Sequence, residues 1–569
     1  MTTMSLDDAK VGLDGALERL RAGAAAWQRL PLEDRATLSH RVAEAAVAHS
    51  SSWVAAACRA KGLPEQSALA GEEWLSGPYS VAMNAATLAH SLEALAAGRS
   101  PIEASAVREV GGRTVADVFP TSIWDRLLLS GFSARVHFQA GNTPGDVLRG
   151  AGLAQLEPTA RPGTSVVLGA GNITSIAVLD TLYEVFAHNR VVILKLNPVM
   201  DQMLEPTRAV LAPLIEAGAV HVVSGGTDVG GYLVNHEMVD HVHITGSSQS
   251  HDAIVFGPGA AGEERRRAGK PLLRKSITSE LGGVSPTIVV PDGWSSRDVR
   301  YQAEHIATQR LHNGGYNCIA TQVVVIPAHW PRREEFLRAL REEIDRAPRR
   351  RDYYPGSKDR VAQARQHHGK AETRDHGRVL IPGLRPGDVA AVFSTEYFSP
   401  VLAVVEIERS GRDYLHAAAQ FVNDELVGTL GANVLVHPRR RKQYGEAFEQ
   451  FLGSLRYGTV AVNAWTAVGY LTATAPWGGF PGADLTAVGS GIGVVHNALL
   501  LPNTEQTIVT GPFRPFPRSY GTGEWTLTPK PAWFVRNRTG ARTAELLIGF
   551  VAAPGWRKLP RLFASALRG

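Results

Sequence analysis

Cysteine is nearly absent from this chain: 569 residues hold two, Cys58 and Cys318. One bridge at most could form, so a disulfide framework is excluded and a reducing cytosol is the expected compartment. Long apolar runs are missing too, and none reaches the roughly 18 residues that span a bilayer. The N-terminus, Met1-Thr-Thr-Met-Ser-Leu-Asp-Asp8, is polar and acidic, so neither a secretory signal nor a transit peptide is expected. There is no His-Glu-x-x-His and no cysteine cluster, so no metal site is expected. The basic runs Arg265-Arg-Arg267, Arg349-Arg-Arg351 and Arg439-Arg-Arg-Lys442 have few interleaved aromatics and read as solvated surface, which argues against nucleic acid as a partner. Repeats, heptads and low-complexity tracts are also lacking.

What is present is an ordinary globular composition, 44% hydrophobic and 20% charged, long enough for two or three domains. Charge is uneven. From Trp525 to Gly569 eight Lys/Arg face one acid, Glu545, so the tail carries +7 while the whole chain carries +5.

Residues 7 to about 60 have helical periodicity, with Leu13, Leu17, Leu20 and Trp27 on one face and Pro31-Leu-Glu-Asp-Arg35 opening a second helix through Val42 and Ala46. The pattern from about 105 to 162 is mixed, with Arg135 to Pro144 reading as strand and turn. From Ser165 to Ser247, short β-branched runs (Ser165–Leu168, Val191–Leu194, Val220–Val223, His241–Ile244) alternate with helical stretches, the mark of a doubly wound parallel α/β sheet. A second alternating block runs through Ser285–Val290, Gln322–Ile326, Pro400–Val405 and Thr459–Asn463. Two α/β domains with a cleft between them follow. Residues 345–390 read as a surface excursion, and Gly489-Ser-Gly-Ile-Gly493 as a flexible loop.

Cys318 lies in Asn313-Gly-Gly-Tyr-Asn-Cys318, 38 residues beyond Glu280 of Ser279-Glu-Leu-Gly-Gly283. Ser295-Ser-Arg-Asp298 is a capping box opening a helix that ends near Asn313-Gly-Gly315, which puts Cys318 in the turn before a strand starting near Thr321. A thiol in such a Gly-rich loop reads as a nucleophile.

In order along the chain, Asn172 in Leu168-Gly-Ala-Gly-Asn172, Lys195 in Ile193-Leu-Lys195, Thr245-Gly-Ser247, Glu280-Leu-Gly-Gly283, Cys318, Glu396-Tyr-Phe398 and Gly478-Gly479 resemble the motif series of the NAD(P)-dependent aldehyde dehydrogenase superfamily. The resemblance runs from about residue 8 to 512. It implies a Rossmann-like cofactor domain with a helical layer (1–284, including part of a β-extension near 130–155), a catalytic domain (285–482), a return with an oligomerisation strand (483–515) and a basic C-terminal extension (516–569). The extension pairs between subunits in this family, so a homodimer or homotetramer is implied.

The resemblance also assigns roles. Cys318 would attack an aldehyde, Asn172 and the Cys318 backbone N–H would hold the oxyanion, and Glu280 would be the general base. Bound NAD or NADP would meet Lys195 at the adenosine ribose, Glu396 at the nicotinamide ribose and Phe398 near the ring. Thr245, Gly246 and Ser247 would open a helix facing the pyrophosphate, and Gly225 would let the chain pass close to the adenine side. The implied reaction is oxidation of an aldehyde to its acid. The runner-up is a CoA-acylating aldehyde dehydrogenase, in which a thiol resolves the thioester; a silent scaffold or membrane-recruited binding protein is the alternative of another class.

Three departures stand out. Pro198 occupies the place where many NAD-preferring members have a glutamate three residues after the lysine, which opens the site to NADP. Tyr316 replaces the usual Gln before the nucleophile, and Gly169-Ala-Gly171 replaces an aromatic-rich motif. The third is the tail beyond about Phe513. There Trp556, Leu559, Phe563, Ala566 and Leu567 can share a helical face, either lying on an anionic membrane surface or packing on the body or across a subunit interface.

Overall fold

A computed structural model describes residues 6–157 and 163–569. Helices Leu6–Arg29 and Leu32–Ala48 form where the periodicity places them, with Leu13, Leu17, Leu20 and Trp27 buried. Among the described residues the strands build one sheet of six and one of eleven, plus a two-stranded ribbon.

In the six-stranded sheet, Thr164–Leu168 lies between Val191–Lys195 and His241–Gly246; Val220–Val223 and Ser276–Leu281 flank these, all parallel. Val191–Lys195 is buried along its whole length, as a strand covered by helices on both faces must be. Strand order reverses between Thr164–Leu168 and His241–Gly246, and the crevice at their carboxyl ends is where open α/β sheets take ligands. The outer edge is Gly491–Ile492, antiparallel to Ser279 and Glu280. The stretch expected as a loop is therefore a strand. Gly491 sits at φ +119°, and a Cβ there would lie 2.0 Å from the Ser279 carbonyl oxygen, so only glycine lets the chains approach.

In the large sheet, Ser285–Val290 is central, between Thr321–Pro327 and Gly431–Val436, all parallel. Beyond Thr321–Pro327 come Val401–Ile407 and Val379–Leu384, again parallel, with Glu372–Thr373 antiparallel at the edge. Residues 345–390 thus add strands to the sheet and a helix, Ser357–His367, rather than forming a bare excursion.

On the other side, Thr459–Val462 pairs with Thr504–Thr510 in parallel, which pairs antiparallel with Ser133–Phe138. A hairpin, Val107–Val110 and Arg113–Phe119, completes the extension. The sequence located Ser133–Phe138 and Thr504–Thr510 but not this hairpin, and residues 144–150 are helical instead. The extension joins the eleven-stranded sheet through strands of one chain.

The tail packs on the body. Asp298, which caps helix Ser296–Leu311, also accepts from Arg514 Nε at 2.6 Å and Arg518 at 2.9 Å. Helix Gly540–Ala552 crosses helix Ala70–Trp74 so closely that a Cβ on Gly71 would meet Gly540 at 2.5 Å. Leu559 and Leu562 of the last helix, Leu559–Ala566, are buried with Phe550, while Trp556 and Leu567 stay exposed. No helix among the described residues is long and apolar enough to cross a membrane.

Candidate active site

Helix Ser296–Leu311 ends in a tight turn, His312–Gly315, where Asn313 and Gly314 take left-handed conformations, and the chain passes Cys318 before strand Thr321–Pro327. This loop is tied down from several sides. Buried Arg310 donates to the Gly315 carbonyl at 2.7 Å. Buried Glu72 accepts from the Asn313 backbone N–H at 3.0 Å and pairs with Arg350 at 3.0 Å. The Asn313 amide donates to the carbonyls of Tyr316 (2.8 Å) and Asn172 (3.1 Å), so the nucleophile loop and the Asn172 loop are held as one unit. Asn172 spends one amide hydrogen on the Tyr316 carbonyl at 3.3 Å and carries a second. Tyr316 is packed among Tyr353, Tyr354 and Phe398, its hydroxyl 2.9 Å from Ser357 Oγ.

Cys318 opens onto a cavity of about 890 Å³ at the strand-order reversal. Glu280 and Asn172 reach it from the catalytic side, and Glu396 and Phe398 from the facing loop. Lys195, Thr245, Gly246 and Ser247 line its other end. Gly225 does not reach it: at φ +149° it makes the turn before helix Thr227–Asn235, and Thr227, Gly230 and Gly231 line the wall instead. Thr245 also differs from expectation, because its hydroxyl donates inward to Asp180 at 2.8 Å. Ser247 caps helix Ser248–Phe256, accepting from the Ser250 N–H.

The electrostatics are those of a thiol between two acids. Burial, then the charges of Glu280 and Glu396, push the Cys318 thiol well up, while the thiol itself lies 3.8 Å from Asn317 Oδ1. Glu280 is itself raised to about 7, chiefly by burial and then by Asp180, against the pull of a 3.3 Å hydrogen bond from Trp477. Glu396 is raised to about 8 by burial, with Arg310 opposing. One Glu396 oxygen is buried without a partner, and the carboxylate lies so close to Gly282 that a Cβ there would meet it at 2.1 Å.

Several wall residues carried no sequence signal. Arg360 donates to the Tyr397 carbonyl at 2.7 Å and steadies the Glu396 loop. Trp465, Tyr470 and Trp477 surround the far side of Cys318, with the Tyr470 hydroxyl 2.6 Å from Ser175 Oγ. Trp477 precedes Gly478-Gly479, so the motif pointed to the right place and missed the side chain. His40, His90 and Glu93 come together on the surface where two helices pack, their ligand atoms within 4.8 Å of one another, a cluster that no motif spacing announces.

A dinucleotide fits the cavity. At Gly169 and Gly171 of the cavity wall a Cβ would meet Ala177 and Asn197 at 2.8 Å, so glycine lets the chain pack closely there. A helix N-terminus faces the space at Gly246-Ser247, the orphaned Glu396 oxygen awaits a donor, and Lys195 offers one with Asp201 and Asp228 as its nearby charges.

Residues 185–493 match the aldehyde dehydrogenase family. An aldehyde dehydrogenase from Enchytraeus buchholzi is 32% identical over 135 residues, 24% of this chain and 23% of that one, so the matched stretch spans about a quarter of the relative's length. In fold, the chain is similar to a mutant aldehyde dehydrogenase from Pseudomonas syringae complexed with NAD+ and octanal (TM-score 0.56, 17% identity, 89% of this chain and 90% of that one). It is also similar to an NADP-dependent glyceraldehyde-3-phosphate dehydrogenase from Bacillus halodurans complexed with NADP (TM-score 0.57, 16% identity, 88% and 91%).

Proposed function

This chain belongs to the aldehyde dehydrogenase family, and on that premise we propose that it oxidises an aldehyde to its carboxylic acid with NAD+ or NADP+ through a thioester on Cys318. The observation that carries this reading is that the Cys318 thiol and the Glu280 carboxyl meet at the inner end of a cavity that fits a dinucleotide.

Glu280 as carboxylate takes the thiol proton, and the Cys318 sulfur bonds to the aldehyde carbon. The negative charge that develops on the aldehyde oxygen is met by the second amide hydrogen of Asn172 and by the Cys318 backbone N–H. Bound NAD(P)+ supplies the hydride acceptor. Glu280 gives the thiol proton up to solvent and, a carboxylate again, takes a proton from the water that attacks the thioester carbon, and the Cys318 thiolate leaves; a pKa near 7 suits a base working near neutrality. Lys195 would hold the adenosine ribose, Glu396 the nicotinamide ribose and the amides at Gly246-Ser247 the pyrophosphate, with Phe398 beside the ring.

Turnover of an aldehyde panel with NAD+ or NADP+, with and without CoA, tests the reading. Free acid formed without CoA and lost in Cys318→Ala supports it. Formation of acyl-CoA only when CoA is present overturns it in favour of the acylating reaction.

We also propose a reducing cytoplasmic setting, since Cys318 must stay a free thiol. A homo-oligomer is proposed on the exposed edge strand Val107–Val110, and peripheral membrane contact on exposed Trp556 and Leu567 beside Arg557, Lys558 and Arg561. Light scattering and vesicle flotation test these.

A further inference from the structure

On the side of Cys318 away from the dinucleotide cavity lies a small space of about 40 Å³ enclosed by Ile173, Trp465, Tyr470 and Trp477. Leu75, Leu471 and Trp533 line it as well, and the same three residues line a second, larger cavity of about 180 Å³. The two spaces therefore meet across a shared wall of three apolar side chains. The outer cavity is built on one side by body residues such as Tyr79, Met83 and Leu128, and on the other by the C-terminal extension, through Pro529, Trp533, Leu547 and Leu562.

Resting on the proposed oxidation, we propose that the C-terminal extension forms the distal wall of the substrate site, and that the substrate is an aldehyde with a long apolar body, alkyl or arylalkyl, which lies in this outer cavity while its carbonyl reaches Cys318.

Three observations support this. The wall is fixed to the body on both flanks: Thr528 donates to the Ser130 carbonyl at 2.7 Å, Val535 donates its N–H to Thr308 at 3.4 Å, and Arg536 pairs with Glu343. A segment held this way can shape a pocket rather than merely brush it. The lining is chiefly aliphatic and aromatic, so burying an alkyl chain there displaces water from apolar surface at roughly 25 cal/mol per Å². The charged groups of the outer cavity are one acid and one base, Asp125 and Lys530, and both are engaged: Asp125 closes a capping box with Ser122, and Lys530 pairs with Glu304 at 3.5 Å. A charged aldehyde would find no unspent counter-charge there. The indole N–H of Trp533 is buried without an acceptor at the junction and can donate to a polar atom along the chain.

The test is to narrow the outer cavity with Leu547→Trp and widen it with Leu547→Ala, and to measure kcat/KM for decanal and for propanal. Propanal is too short to leave the inner space. The decanal-to-propanal ratio is expected to fall by about tenfold or more in L547W and to hold or rise in L547A. An unchanged ratio in both variants, with circular dichroism like that of the unaltered protein, overturns the inference. If the unaltered protein oxidises no aldehyde, the proposed reaction fails, and the cavity is decided separately by calorimetry with decanamide, an unreactive analogue. Binding lost in L547W supports the cavity, and equal binding in both proteins removes it.

Discussion

Trp477 donates its indole N–H to Glu280 Oε1 at 3.3 Å, joining the candidate base to a residue 197 positions later in the chain. The bond favours the carboxylate and opposes the burial that lifts Glu280 to about 7. Trp477→Phe removes it while keeping an aromatic wall, so the rise of kcat with pH that reports Glu280 ionisation is expected to move upward, by about 0.7 units for a hydrogen bond worth about 1 kcal/mol. A pH–rate profile of the two proteins checks this. An unmoved midpoint would mean that Trp477 does not tune the base.

Glu280→Gln keeps shape and removes the base. Because Glu280 takes both the thiol proton and the proton of the attacking water, reduced cofactor is expected to form without a burst, at a steady rate lower by about 10²–10⁴-fold. Rapid-mixing absorbance and intact-protein mass check that no acyl adduct accumulates.

The same substitution predicts a stability effect with a definite sign. Glu280 is 3% exposed and its folded pKa is raised from 4.5 to about 7, so the folded state holds its proton more tightly than the unfolded chain does. That contribution is complete below about pH 4.5 and is lost as pH rises through 7. E280Q and the unaltered protein should melt alike near pH 5, and E280Q should be the more stable by up to about 3 kcal/mol at pH 8. Thermal melts at the two pH values decide it.

Asn172→Ala removes one of two donors to the developing oxyanion and should lower kcat by about 10²–10³-fold with little change in cofactor affinity. Asn172 also borders the Asn313 network, so melting temperature is the control.

Pro198 in place of an acid opens the sequence to NADP, yet the fold brings Asp201 and Asp228 near Lys195. A 2′-phosphate there would meet two carboxylates. NAD+ is therefore expected to be preferred, and D201N/D228N should move the kcat/KM ratio toward NADP+ by about three- to tenfold, since these charges are exposed.

The sequence was legible where structure is written as pattern. Val220–Val223 and Ser285–Val290 were located to the residue because short runs rich in β-branched side chains and bounded by turns have few other ways to be buried. Cys318, Glu280 and Asn172 were singled out because their types and order carry chemistry, and the fold brings all three to one cavity. Gly491–Ile492 was not, because two residues have no periodicity and their pairing depends on the distant Glu280 strand. Arg360 and Tyr354 were missed since their segment has the composition of a loop, and its place beside Phe398 is set by tertiary packing. Gly225 is absent from the cavity wall, because a glycine in sequence marks a turn as readily as a ligand contact.

The pairing of Gly491 with Glu280 has a consequence in time as well as in space. A ribosome delivers Cys318 and Glu280 long before it delivers Trp477, the Gly491–Ile492 edge or Trp533. Until those late residues emerge, the strand carrying the base lacks its outer neighbour and the space behind the thiol lacks its wall. The chain therefore cannot complete its reactive centre part-way through synthesis: a truncated product would carry the nucleophile and the acid but not the frame that sets their protonation. Assembly of the reactive centre waits for residues as late as Trp533.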